Sequence, residues 1–169
     1  MLLEFDRATS VVPSSSVVPA SSVVPNDPSR SIAPRAFASP MPAPDAAADL
    51  SGRRILILDD DPLAAIIATL DLEDAGASFA LAHCAASALR ELDRAARNGT
   101  PFDAAVLDVN LGNGATSHPI ADRLRADRVP FMFHSADRGA DTGGTPLIVK
   151  PAVPGALACA IASQIAERH

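Results

Sequence analysis

Four short apolar runs in this chain each stop at a residue able to handle phosphate or a divalent cation. They are 55–58 before Asp59 and Asp60, 104–107 before Asp108, 131–133 before His134 and Ser135, and 147–149 before Lys150. Uninterrupted β-compatible runs of this length read as strands buried on both faces, the pattern of a parallel sheet. Ligands of open parallel sheets bind beyond the carboxyl ends of the strands. The runs therefore deliver carboxylates, a hydroxyl and an ammonium to one edge.

Between the runs the apolar spacing turns helical. Pro62 suits a first helical position with Asp61 as its cap, and Ile66, Ile67 and Leu70 supply an inner face before Gly76 ends the helix. A further strand is expected over 78–82, then a helix over 86–97 that buries Leu89 and Leu92 and exposes Arg90, Glu91, Arg94 and Arg97. A third helix should run over 119–126 and a closing one over 154–167. This βα alternation predicts an α/β fold, a doubly wound five-stranded parallel sheet in the flavodoxin-like order 2-1-3-4-5. Only 14 residues separate Ser135 from Lys150, and Gly139, Gly143, Gly144 and Pro146 lie among them. The fourth helix is therefore expected to be shortened or absent.

Crowded carboxylates repel one another and need a cation, and an oxygen-only donor set favours magnesium. A phosphoryl group could then share its oxygens among the metal, the Lys150 ammonium and the Ser135 hydroxyl. Cys84 and Cys159 fit no zinc spacing and are expected to pack as small apolar side chains in a reducing compartment. His134 is expected to be a packed structural residue.

Residues 1–51 have another character. They hold eight of the 15 prolines and ten serines, and Ser-Val-Val-Pro recurs with prolines at 13, 19 and 25. Without a periodic apolar face such a stretch cannot offset its ordering entropy, so a disordered Pro/Ser/Ala-rich extension is expected, followed by one domain over 52–169. Glu4 and Asp6 stand where a secretory signal needs basic residues, and no apolar run reaches membrane-spanning length. The net charge is −6, with 11 basic and 15 acidic residues over 53–169, so neither nucleic acid nor membrane is expected as a partner and the cytoplasm is the expected location.

The order Asp59-Asp60, Asp108, Ser135 and Lys150-Pro151 resembles the receiver domain of two-component response regulators, with its CheY-like fold. The stretches 107–112, 117–122 and 130–133 are similar to the stand-alone FAT GUY subclass, although 133–137 reads Phe-His-Ser-Ala-Asp where that subclass has Phe-Ala-Thr-Gly-Tyr. The resemblance implies Asp108 as phosphoacceptor and Asp60 as a direct magnesium ligand, with Asp59 a ligand through water. It implies a backbone carbonyl from Asn110 to the metal, and Ser135 and Lys150 at the phosphoryl group. It also places Asp137 where it would influence the attacking water. Leu147 and Ala152 replace aromatic residues usual in such domains. The implied partners are a histidine kinase or histidine phosphotransfer protein and a downstream regulator protein, in a phosphorelay or other two-component signalling. The chain would be a phosphoacceptor with self-phosphorylation and self-dephosphorylation chemistry, not an enzyme.

Two other readings stay open. Asp59 and Asp61 also resemble the nucleophile and acid/base of a haloacid-dehalogenase-type phosphatase, though only Glu167 follows Lys150 as an acidic residue and Asp108 would be idle. A receiver-like module that works by phosphate-independent contact is the other.

Overall fold

The computed structural model describes residues 48–167. The expected extension over 1–51 lies largely outside them. Leu50, on the extension side of the expected boundary, is 1% exposed, and its amide donates to Ala75 O at 2.8 Å.

The elements are β1 (Arg54–Leu58), α1 (Pro62–Asp74), β2 (Ser78–Ala82), α2 (Ala85–Arg97), β3 (Ala104–Leu107), α3 (His118–Ala126), β4 (Phe131–Ser135), β5 (Leu147–Val149) and α4 (Ala156–Ala166). All strand pairs are parallel, in the order β2-β1-β3-β4-β5, so the predicted topology holds. The central strands β1 and β3 are buried on both faces, which is why their sequences show no alternation.

One face of the sheet packs Leu56, Leu58, Leu107 and Phe133 against α2 and α3. The other packs Ile55, Ile57, Val106 and Met132 against α1 and α4. Each fully buried Leu or Ile here contributes roughly 2 kcal/mol by removal of apolar surface from water. No helix forms over residues 136–146. That stretch is instead pinned to α3: the His118 ring nitrogen Nε2 lies 2.9 Å from Asp141 O, and Arg125 donates to Thr145 Oγ1 at 3.2 Å while stacking over Phe131.

Three side-chain expectations are corrected. Asp61 does cap α1, accepting from Leu63 N at 2.9 Å, but the helix is rotated from the expected face. Ala65, Ala68, Thr69 and Leu72 are buried, whereas Ile66, Ile67 and Leu70 are 53%, 45% and 55% exposed. The helix is apolar around most of its circumference, so periodicity alone cannot pick the inward side. Small residues let it approach the sheet closely, and Asp71 fixes its rotation by accepting from the amides of Gly155, Leu157 and Ala158 at the start of α4.

In α2, Leu92 is buried as expected but Leu89 is exposed, because Ala88, Leu92 and Ala95 form the inward stripe. Cys84 is not packed: it is exposed at the start of α2, where hydrogen bonds with Ser87 pull its thiol pKa below the ordinary value. Cys159 is half-buried on α4.

Candidate functional site

The parallel ladder carries β1 and β3 to the same height, and the residue after each is an aspartate. Asp59 N donates to Ala82 O at 3.0 Å and Asp108 N to Leu58 O at 2.7 Å, so both carboxylates start from backbone already fixed by the sheet. Asp60 follows on the exposed side. One carboxylate oxygen from each of Asp59, Asp60 and Asp108 lies within 4.8 Å of the others. That all-oxygen trio fits a hard divalent cation such as magnesium.

Lys150 completes the cluster. Its amide extends the β4–β5 ladder by donating to Ser135 O at 3.0 Å. Its ammonium donates to Asp59 Oδ2 at 2.6 Å and to Asp108 Oδ2 at 2.7 Å. Because β4 lies between β5 and β3, the side chain must cross the end of β4 to reach both carboxylates.

The remaining predicted residues are placed with less contact. Asn110 is exposed, and its amide donates to Asp108 Oδ1 at 3.3 Å. Ser135 is buried at the end of β4, and its Oγ has Asp137 N at 3.5 Å. Among the described residues no hydrogen bond joins Ser135 to Asp108. Asp137 turns its carboxylate to Gly139 N at 2.8 Å. His134, expected to be structural, is 2% exposed, and neither ring nitrogen has a hydrogen-bond partner.

Burial raises the pKa of Asp59, and the Lys150 ammonium only partly offsets this. For Lys150 the balance is reversed: burial opposes its charge, but hydrogen bonds to Asp108 and Asp59 win and raise its pKa. Burial, reinforced by the charge of Lys150, lowers the pKa of His134 to about 4, so its ring is neutral at ordinary pH.

Three contributors were not found from the sequence. Gly112 has φ +67°, and a Cβ there would stand 2.9 Å from Asp60 Oδ2, so only glycine leaves room for that carboxylate. His83 places Nδ1 3.2 Å from Asp59 O. Asp71 ties α1 to α4 behind the site. The Gly-Asn-Gly run hinted at the first; the other two are contacts between distant segments and leave no local signal.

The sheet order and the acid-and-lysine edge define the response-regulator receiver fold. The chain is similar in structure to the response regulator PhyR of Brucella abortus (TM-score 0.61, 19% identity), with 72% of this chain and 51% of that one covered. It is also similar to a response regulator receiver protein of Sinorhizobium medicae WSM419 (TM-score 0.58, 21% identity, 72% and 100% covered). A third likeness is to a sensor protein of Polaromonas sp. JS666 (TM-score 0.57, 26% identity, 70% and 99% covered). The chain thus spans about half the length of the PhyR structure. No protein-family model and no curated protein matches it. Among the described residues no helix is long and apolar enough to cross a membrane.

Proposed function

We propose that this chain is a response-regulator receiver that takes a phosphoryl group from the phosphohistidine of a histidine kinase or phosphotransfer protein onto Asp108, in the cytoplasm, and signals by protein contact. The observation that carries this reading is the Lys150 ammonium held between Asp59 and Asp108, residues from three strand ends far apart in sequence. A structural ion pair needs one carboxylate; two buried carboxylates sharing one ammonium beside a third acid make a site built to handle added charge.

In the proposed reaction a carboxylate oxygen of Asp108 attacks phosphorus. The P–O bond forms as the P–N bond to the donor imidazole breaks, and the bonding pair returns to the imidazole nitrogen. Asp59, Asp60 and Asp108, with the Asn110 carbonyl, would hold magnesium, which when bound neutralises charge on the transferring oxygens. Lys150 supplies a positive charge beside Asp108, and the Ser135 hydroxyl is the donor at the end of β4. Hydrolysis of the acyl phosphate by water returns Asp108, so the chain is a phosphoacceptor and not an enzyme acting on a separate substrate.

The phosphatase reading needs Asp61 free as acid/base, whereas its carboxylate caps α1. The exposed face of α1, Leu63, Ile66, Ile67 and Leu70, begins directly after the acidic residues, so a phosphodonor helix would pack there beside Asp108.

The test is intact-mass measurement after incubation with magnesium and acetyl phosphate. One phosphoryl adduct that requires magnesium and is lost in Asp108→Ala supports the reading. No adduct on folded wild-type protein favours a phosphate-independent interaction module.

A further inference from the structure

His134 occupies the position before the end of β4, fully inside the protein with both ring nitrogens unpartnered. A neutral imidazole carries one donor and one acceptor, and leaving them unmet in the interior costs stability that an apolar side chain of similar size would not. Retaining histidine here is therefore explained best by a partner acquired in another state.

The geometry limits which partner that is. Side chains alternate along a strand, so His134 shares a face with Met132, which packs in the layer under α1 and α4. Its register partner on β5 is Ile148, packed against the same layer. Lys150, two residues further along, starts from that face and crosses the end of β4 on its way to Asp59 and Asp108. Its stem therefore crosses the end of the strand on which His134 is the penultimate residue.

An ammonium has three N–H donors, and two of those of Lys150 are committed to the two aspartates. A divalent cation held near the Asp59 carboxylate, directly or through water, would compete with Lys150 for that carboxylate and would free one of those donors. We propose that His134 is a positioning residue for Lys150: its unprotonated ring nitrogen receives the donor released from Asp59 and keeps the ammonium directed at Asp108. This rests on the cation-binding part of the reading above.

The test uses the full chain without any phosphodonor. Long-range proton–nitrogen spectra of the imidazoles are recorded during a magnesium titration, and magnesium affinity is measured by calorimetry for wild type, His134→Phe and His134→Gln. The expected result is an upfield movement of the acceptor nitrogen of His134 as magnesium binds. His134→Phe should show a higher Tm but several-fold weaker magnesium binding, and His134→Gln, which keeps an acceptor, should recover part of the affinity. Magnesium binding that leaves the His134 nitrogen unmoved, or equal affinity in His134→Phe, overturns the role of His134 alone. Folded wild-type protein that binds no magnesium overturns the cation reading as well.

Discussion

Lys150 offsets part of the charge of two carboxylates that the strands force together, so the cost of its removal depends on what else is present. Breaking a buried ion pair by deleting one partner costs about 3–5 kcal/mol, because the charge left behind is uncompensated. With Asp59 nearly inaccessible and Lys150 itself mostly covered, Lys150→Met is expected to lose about 3 kcal/mol in a denaturant titration without divalent ions. Magnesium should restore much of that loss, since it replaces the missing charge; equal losses with and without magnesium would contradict the shared site.

His134 gives a pH dependence. Its pKa is about 4 in the folded state against the ordinary 6.5 of an exposed imidazole, so below pH 6.5 the unfolded chain binds a proton that the folded one does not. Stability should therefore fall as pH drops from 6.5 towards 4, by about 3 kcal/mol at most. His134→Leu should flatten that part of a Tm-against-pH curve.

At the level of elements, α1 is held by a stripe of mostly small buried residues and by Asp71 near its C-terminal end. Asp71 bonds three amides at the start of α4, where the N-cap Gly155 offers no side chain. Asp71→Ala should cost about 1–2 kcal/mol, the usual value of a helix cap, with the loss visible as faster amide exchange in the first turn of α4. The same rotation turns Ile67 and Leu70 outward beside Ala152 and Val153, along a groove of about 240 Å³. Ile67→Asp is expected to slow phosphoryl transfer from a kinase at least tenfold, while leaving loading from acetyl phosphate unchanged and the fold stable, since the position is exposed. A parallel loss with acetyl phosphate would place the defect in the site itself.

Over the whole molecule, strand positions were legible because a strand covered on both faces must be apolar throughout and must stop where polar groups meet solvent. Asp108 and Lys150 mark such stops, and so β1, β3 and β5 could be placed within a residue or so. The missing helix between β4 and β5 was equally legible, since glycines and a proline exclude it. What the chain did not disclose were relations between distant segments: which side of an almost wholly apolar α1 faces inward, the reach of Asp71 to α4, the room that Gly112 leaves for Asp60, and the unpartnered ring of His134. Periodicity records how a segment meets the core, not which other segment meets it.

The stretch from Ser135 to Lys150 carries the hydroxyl at one end and the ammonium at the other, with its middle stapled to α3 by His118 and Arg125. If a phosphoryl group were added on Asp108, any shift of those two ends would pass to α3 through this irregular, stapled stretch and not through a helix. A change at the carboxylate edge would then reach this side of the molecule as a shift of α3 and the stretch bound to it.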